Sequence, residues 1–403
     1  MSSIYQRLIS LLLIVFPGTA ISEDWYRWRG PHLDGISTET RLNCDWKNDQ
    51  AKLAWKAQVG TGFSSVVVKD KRAFTLGHVD DQDVVYCLDV DDGNQQWKFG
   101  YPAELGDRDF EGGPTSTPTI DDDRVYVLAR AGELFCFDAA SGKVNWRKQV
   151  ADEASVRLPG WGFSAAPLVV GEMLLLNMGE SGVAIDKRTG ELIWSSADRE
   201  CGYATPVVVG EGASAVAIFA SGKAYTGVEA KSGKQLWSER WLTSFNCNAA
   251  DPIVHDGKMF LSSGYNRGAA LFDMTGETPS LIWKSKEMKN QIHGCLLYKE
   301  HLYGIDGDME SGARLRCMEW STGEVVWSVD DLHPGGLAIA GGRLILLTEP
   351  GELVVAPASP QGWTPTSRAT VTGRKSWTAP VISGGRIFCR SIDGLVVCVD
   401  CRE

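Results

Sequence analysis

Short apolar runs alternate with turn-forming residues along the chain, and one arrangement of them recurs. In most copies a β-rich run ends in Asp or Glu, a Gly follows four positions later, and a Trp ends the next run four positions after that. Because Gly at a fixed turn position accommodates positive φ, each copy predicts a hairpin. The copies span 86–97, 135–146, 183–194, 226–237, 270–283 and 316–327, with a shortened one at 396–400 and a degenerate one at 352–363.

A second pair of short apolar runs precedes each hairpin, so the repeating unit contains four strands. These pairs begin at positions 65, 117, 166, 205, 251, 294, 337 and 379. The acidic positions lie 38 to 49 residues apart once the degenerate copy is counted, and four-stranded units of this period are typical of propeller blades. The pattern therefore predicts an all-β fold, an eight-bladed β-propeller of four-stranded antiparallel blades.

The last unit lacks an outer strand, because the chain ends shortly after position 400. The segment Lys52–Ala57 resembles the run that ends in Trp in the other units. Pairing this segment with the last unit would remove the open edges of the sheet. We therefore expect an N-terminal strand to complete the last blade and close the ring.

Tryptophan recurs at one register of the repeat. So many rings at one register cannot all line a single site, whereas each ring buries a large apolar area when it packs between neighbouring blades. We therefore interpret these residues as structural and blade-docking. They are Trp97, Trp146, Trp194, Trp237, Trp283 and Trp327.

The first 22 residues predict an export signal. Arg7 precedes the apolar run Leu8–Phe16, and the small residues Ala20 and Ser22 follow. This arrangement is typical of a secretory signal peptide, and the run is too short to span a bilayer. A buried N-terminal helix is the alternative interpretation. The predicted organisation is a signal peptide at 1–22, an N-terminal extension at 23–50 and the propeller at 51–403. We expect a periplasmic or secreted protein with no transmembrane segment.

Charge and cysteine content narrow the picture further. The formal net charge of −11 argues against a nucleic-acid partner, because an acidic surface repels phosphate. Four of the ten cysteines share one register of the repeat, where other copies have Leu, Val or Ala, and so resemble small buried hydrophobes. They are Cys87, Cys136, Cys317 and Cys398. A bridge between Cys44 and Cys401 stays open, because both would flank the closing blade.

The Asp-x-x-x-Gly-x-x-x-Trp pattern resembles the repeat of the pyrroloquinoline-quinone (PQQ) propellers over about residues 50 to 403. The segments Trp28–Pro31 and Asn248–Val254 are similar to those of small secreted bacterial members. One branch, the quinoprotein alcohol dehydrogenases, implies PQQ, calcium and a vicinal cysteine pair, but this sequence has no adjacent cysteines. The other branch resembles the cofactor-free propeller lipoprotein of outer-membrane assembly, whose lipobox cysteine is also missing here.

Propeller topology predicts where a site would lie. Loops that lead into the innermost strands gather around the central channel with loops between the second and third strands. We therefore predict a candidate ligand site at the channel mouth. Its residues are Asp251, Asn246, Asn248, His293, Trp161, Trp377, Glu111, Arg157 and Tyr265.

Asp251 is the leading candidate, because other copies have Thr or Ala at its position. With Asn246 and Asn248 it could bind Ca²⁺ through oxygen ligands or act as a base; alternatively, all three bond loop backbone groups. His293 is either a ligand or a satisfied polar residue, and Trp161 and Trp377 either stack on a ring or pack under loops. Asp121–Asp123 lies in a turn, where three adjacent carboxylates cannot face one ion, so no metal site is predicted.

These observations favour an exported, non-catalytic binding or scaffold protein at the cell envelope. We expect a protein or envelope partner and a monomeric chain. A PQQ- and calcium-dependent quinoprotein dehydrogenase is the first alternative. A carbohydrate-binding or carbohydrate-active propeller is the second. No cofactor is predicted with the favoured function.

Overall fold

The computed structural model describes residues 23–309 and 312–402. The predicted export signal, residues 1–22, lies outside them. Within the described part no helix has the length and apolar character needed to cross a membrane. Nearly all regular structure is β-strand, arranged as eight sheets around a ring. The expected eight-bladed β-propeller is therefore confirmed.

Each blade is a meander of four antiparallel strands. The innermost strands contact one another among the first three blades, between the fourth and fifth, and between the sixth and seventh. In blade order they are β3 (Val67–Lys69), β7 (Thr119–Asp121), β11 (Leu168–Val170), β15 (Val207–Val209), β19 (Ile253–His255), β23 (Leu296–Tyr298), β27 (Pro334–Ala340) and β31 (Val381–Ser383). The second strands are β4 (Arg72–Val79), β8 (Arg124–Leu128), β12 (Met173–Leu176), β16 (Val216–Ala220), β20 (Lys258–Ser263), β24 (His301–Asp306), β28 (Arg343–Thr348) and β32 (Arg386–Arg390).

The outer half of each blade is the hairpin that the repeat predicted. The third strands are β5 (Gln82–Asp89), β9 (Glu133–Asp138), β13 (Val183–Asp186), β17 (Ala224–Glu229), β21 (Gly268–Asp273), β25 (Arg314–Glu319), β29 (Glu352–Pro357) and β33 (Leu395–Asp400). The outermost strands are β6 (Gln95–Pro102), β10 (Val144–Gln149), β14 (Leu192–Ser195), β18 (Gln235–Arg240), β22 (Ser280–Ser285), β26 (Val325–Val329), β30 (Ser367–Thr370) and β2 (Leu53–Gln58). One-turn helices lie at 47–49, 212–214 and 244–246, and α1 spans Val150–Glu153.

The N-terminal strand closes the ring as expected. Strand β2 pairs antiparallel with β33, and Trp55 lies opposite Cys398. The preceding extension adds a further strand, β1 (Ile36–Ser37), which pairs parallel with β27. The eighth blade is therefore built from both ends of the described chain, and the seventh has five strands.

The degenerate copy at 352–363 differs from the expectation. Its outermost strand lies beyond Trp363, at Ser367–Thr370. Pro360 and Pro365 flank Trp363, and proline cannot donate to a strand ladder. Trp363 instead packs against Trp327 of the sixth blade, with ring centroids 6.4 Å apart.

The acidic residue of the repeat holds the hairpin turn. The Asp138 carboxylate accepts hydrogen bonds from the backbone N–H and the hydroxyl of Ser141, at 2.8 and 2.6 Å. Asp186 accepts two backbone N–H groups in the same way. Hydrogen bonds to the charged form favour it, and they lower the pKa of both carboxyls. The acidic residue therefore recurs at the same spacing because its carboxylate stabilises the hairpin turn of its own blade.

The tryptophan of the repeat contacts the turn of the next blade. The Trp97 indole N–H donates to the Ala139 carbonyl at 3.0 Å, and a Cβ on Gly142 would lie 2.6 Å from the same ring. The indole face therefore lies directly on the turn glycine, where a side chain would not fit. The same ring-on-glycine contact occurs in the pairs Trp55–Gly93, Trp146–Gly190, Trp194–Gly233 and Trp283–Gly323.

We predict that Gly142→Ala destabilises the protein far more than Gly171→Ala. Both glycines have positive φ, so each substitution costs about 1 kcal/mol of backbone strain. Only Gly142 faces a ring, whereas a Cβ on Gly171 meets nothing within 4 Å, and the forced overpacking adds roughly 1 to 3 kcal/mol. Denaturant unfolding of the two variants measures the difference. In a Trp97→Ala background the excess cost of Gly142→Ala should vanish; an unchanged excess would contradict the contact.

Candidate functional site

The two faces of the propeller differ in their loops. The loops into the innermost strands and those between second and third strands form one face, here called the upper face. The lower face has the tight turns between first and second strands and between third and fourth strands. All nine predicted site residues lie on upper-face loops or at the upper end of an innermost strand.

The N-terminal extension crosses the central channel. The Trp25 carbonyl accepts the Val68 N–H of the first blade, and the Tyr26 carbonyl accepts the Ile120 N–H of the second, both at 2.8 Å. Further along, Arg29 donates to the Cys295 carbonyl of the sixth blade at 2.6 Å. Since the first two blades lie opposite the fifth and sixth in an eight-membered ring, residues 25–39 span the channel. We call this segment the channel plug.

The plug is tied to the last two blades as well. The Gly35 carbonyl accepts the Ile339 N–H of the seventh blade at 3.0 Å. The Glu39 carboxylate accepts backbone N–H groups of Gly384 and Gly385, at 2.6 and 2.8 Å. These two glycines form the lower turn of the eighth blade, so the plug enters the channel from the lower face.

Asp251 binds the plug from above. Its Oδ2 accepts the Trp28 indole N–H at 2.6 Å and lies 3.7 Å from Arg29 Nη1, while its Oδ1 accepts the Thr205 N–H at 2.7 Å. The side chain is only 7% exposed. Burial raises the pKa of Asp251, and the charge of Arg29 offsets part of that rise. Both carboxylate oxygens are therefore engaged by groups of the chain itself.

His293 lies beside the plug. Its ring stacks on Trp28 with centroids 6.3 Å apart, and its Nε2 donates to the Trp377 carbonyl. Burial lowers the pKa of His293, which favours the neutral imidazole at physiological pH. In this neutral form the ring links the plug to the loop of the eighth blade.

The two asparagines hold the loop between the fourth and fifth blades. Asn248 is buried; its amide donates to the carbonyls of Ser221 and Trp241, and its Oδ1 accepts the Ser263 hydroxyl. The Asn246 amide donates to the Glu200 carboxylate at 2.9 Å. Their polar groups are thus used within the protein.

The set proposed for calcium does not fit the ion. Calcium takes six to eight oxygen ligands, whereas the oxygens of Asp251 and Asn248 already accept hydrogen bonds from the chain. Among residues 23–309 and 312–402 no three His, Cys, Asp or Glu side chains are arranged to hold a metal. The plug also fills the channel beside Asp251, where a flat cofactor would need space.

A second group of predicted residues forms an aromatic surface over the third to fifth blades. The Trp161 ring lies 6.4 Å from the Phe245 ring, which lies 5.6 Å from the Tyr265 ring. Phe245 is 71% exposed, and Leu158, on the loop that carries Trp161, is 56% exposed. We call Leu158, Trp161, Leu242, Phe245 and Tyr265 the aromatic patch.

The backbone under the aromatic patch is strained. Phe245 and Asn246 both have positive φ, 61° and 53°, in a region that costs non-glycine residues roughly 1 kcal/mol or more each. The bond from Asn246 to Glu200 holds this conformation. The large Phe245 ring is thus exposed to solvent from a turn of unfavourable backbone conformation.

Charged groups border the patch. Arg157 forms an exposed ion pair with Asp198, and Arg199 pairs with Glu180. Exposed pairs of this kind contribute little to stability. Their charges are therefore accessible to a partner.

The remaining two predicted residues, Glu111 and Trp377, belong to an open pocket of about 660 Å³ and its wall. Lys375 lies 4.0 Å from the Trp377 ring centroid and pairs with Glu111 at 2.5 Å. Arg374 pairs with Asp393 on the same wall. Four of the five charged residues that line the pocket are thus paired with one another. Its lining is Thr61, Asp107, Phe110, Glu111, Arg374, Lys375, Ile392 and Asp393.

Sequence reasoning did not identify Trp28, Arg29 or Phe245 as site residues. A signal existed for the first two, because an extension with Trp25, Tyr26 and Trp28 is too aromatic for a solvated tail. No local signal marks Phe245. Its exposure depends on the loops around it.

The repeat, the blade number and the ring closure define the class of this protein as a PQQ-repeat β-propeller. The family model described as outer membrane protein assembly factor BamB matches residues 80–329 and 311–403. The chain therefore belongs to this family. A sequence comparison with curated proteins finds no match.

Solved structures share the fold at low identity. BamB from Moraxella catarrhalis superposes with a TM-score of 0.67 at 17% identity, covering 87% of this chain and 100% of that one. Quinohemoprotein alcohol dehydrogenase from Comamonas testosteroni superposes with a TM-score of 0.70 at 15% identity, covering 95% of this chain and 82% of that one. The computationally designed protein Ika8 superposes with a TM-score of 0.61 at 11% identity, covering 87% of this chain and 99% of that one. These likenesses concern the fold alone.

We predict that Arg29→Leu lowers the free energy of unfolding by about 3 kcal/mol, because it leaves the buried Asp251 carboxylate without its cation. Arg27→Leu is the matched control, since Arg27 lies in the same segment and donates to the Pro31 carbonyl rather than to a carboxylate. Chemical denaturation at neutral pH compares the two variants. Equal losses would count against the ion pair.

The loss should also depend on pH. Without Arg29 the pKa of Asp251 rises further above its ordinary value of 3.8, so the folded state binds a proton where the unfolded chain does not. Its stability relative to the Arg27→Leu variant then increases as pH falls through the folded-state pKa. Unfolding curves recorded at successively lower pH from neutrality should show the gap in unfolding free energy between the two variants narrowing. A constant gap would contradict this assignment.

Proposed function

We propose that this chain is an exported, non-catalytic propeller that binds a protein partner at the cell envelope through its aromatic patch. The observation that carries the proposal is the exposure of Phe245 at the centre of that patch. Monomeric proteins rarely expose contiguous apolar surface without a use for it. Aromatic side chains are also the commonest anchors of protein interfaces.

The surroundings of Phe245 support a protein partner. Leu158 and Leu242 are exposed on the loops that carry Trp161 and Phe245, and the exposed Arg157 and Arg199 lie on neighbouring upper-face loops. An apolar centre inside a polar rim is the usual organisation of a protein interface. The patch is also supported by three rigid blades, which lowers the entropy lost when a partner binds.

The channel supports binding rather than quinoprotein chemistry. Asp251 and His293, which would face a cofactor, instead hold Trp28 and Arg29 of the plug. Membership in the family of an outer membrane assembly factor agrees with an envelope role. The export signal at 1–22 is part of the proposal, as is a monomeric chain.

Site-specific photo-crosslinking tests the proposal. A photoreactive phenylalanine analogue at position 245 should give a discrete protein adduct in cells that express the chain. The matched control places the analogue at Leu281, which is 52% exposed on the outer strand of the fifth blade, away from the upper face. No adduct from position 245, or the same adduct from both positions, would refute binding through the patch.

The identified partner then allows an affinity measurement. Phe245→Ala should weaken binding by at least about tenfold, because a central aromatic anchor contributes about 2 kcal/mol or more. Leu281→Ala should leave the affinity unchanged. Thermal unfolding of both variants checks that the fold is intact, since both side chains are largely exposed.

A further inference from the structure

Two cysteines meet where the chain ends come together. The Sγ atoms of Cys44 and Cys401 are 3.7 Å apart, although the residues are 357 positions apart in the chain. Cys44 follows the channel plug, and Cys401 directly follows β33. This is the only hydrogen bond between two cysteine sulfurs among the described residues.

The backbone holds these two residues together independently of their thiols. The Asn43 N–H donates to the Cys401 carbonyl at 2.7 Å, and the Cys401 N–H donates to the Gly385 carbonyl at 2.9 Å. The Ser367 hydroxyl donates to the Cys44 carbonyl. Both residues are thus positioned by the seventh and eighth blades, and a covalent S–S bond of about 2.05 Å needs only a small side-chain movement.

The surroundings of the pair favour a disulfide over free thiols. Cys44 is 1% and Cys401 0% exposed, in the apolar cluster that joins the last blades to the first. The Cys401 thiol and, to a smaller extent, Arg343 stabilise a thiolate on Cys44 and lower its pKa, while the pKa of Cys401 is raised. In this contact Cys44 is the more acidic thiol of the pair. Within the described part of the chain they belong to no group of three side chains that could hold a metal.

We propose that Cys44 and Cys401 form a disulfide that locks the closed ring. The Cys44 thiolate attacks a disulfide oxidant, such as oxidised glutathione, and releases one thiol. The Cys401 thiolate then attacks the Cys44 sulfur of the mixed disulfide and releases the second thiol. Two protons and two electrons pass from the cysteines to the oxidant, which is reduced to two thiols.

Burial determines when this exchange takes place. Neither sulfur is accessible in the closed ring, so the oxidant must react before the segment around Cys401 docks or while it is transiently open. Once formed, the bond is protected from reductants by the same burial. It therefore fastens the plug and the last strand together as the ring closes, and its loop encloses the whole propeller.

Peptide mapping tests the bond directly. The purified chain is unfolded, refolded with oxidised glutathione, recovered as folded protein, and treated with an alkylating reagent in denaturant. Mass spectrometry should find a peptide pair linking Cys44 to Cys401 that separates on reduction, with the other eight cysteines alkylated. If Cys44 and Cys401 of the protein recovered from oxidative refolding are both alkylated in denaturant, the proposal is overturned.

Thermal unfolding provides a second readout. The oxidised protein should melt about 5 °C above the protein refolded with reductant, because a bond across so long a loop restricts the unfolded chain strongly. The Cys44→Ser/Cys401→Ser variant should show no difference between the two conditions. Cys389→Ser, which removes a buried thiol from the same cluster, should keep the difference. If Cys389→Ser removed this difference in melting temperature and the double variant kept it, a different pair of cysteines would be bonded.

Discussion

The structure depends on closing a ring whose last blade is shared by both ends of the chain. Strand β2 supplies the outer strand beside β33, and Lys52 pairs with Asp400 at 2.7 Å on that seam. Arg390 of the eighth blade is buried and donates to the carbonyls of Gly60 and Ser64 in the loop into the first. Each blade packs only on its two neighbours. The interface between the eighth and first blades therefore closes the ring and fixes the angles between all the other blades.

The protein contains two kinds of stabilising contact, those that recur in each blade and those that occur once. The repeated ones are local in space: a carboxylate holds a turn, and a tryptophan docks on the next blade's turn glycine. The unrepeated ones cross the ring, as when Trp28 reaches Asp251 over 223 positions of chain. The repeated contacts stabilise the propeller fold. The unrepeated contacts form the features that are specific to this chain, because the plug, the aromatic patch and the cysteine pair all lie outside the repeat.

Sequence patterns predicted most of the fold, and they placed the candidate residues on the upper-face loops without their contacts. The period gave the blade number, and the run at 52–57 indicated the closing strand, because both signals are local and recur in register. Asp251 was singled out as a departure from the repeat, and the structure places it against the plug. Its partners were not found, because Trp28 and Arg29 lie in an extension with no strand pattern. The outer strand of the seventh blade was displaced by Pro360 and Pro365, whose effect on pairing depends on where the neighbouring strand lies.

By itself, then, the sequence determined the number of blades, the strand order and the meeting of the two ends. Periodicity carries that information, since every copy must satisfy the same turn and the same neighbour. Only the tertiary structure decided that the extension enters the channel, that Phe245 is exposed while the Trp28 indole bonds Asp251, and that Cys44 meets Cys401. Such contacts join segments hundreds of residues apart, and they depend on the path of the whole ring rather than on any local pattern.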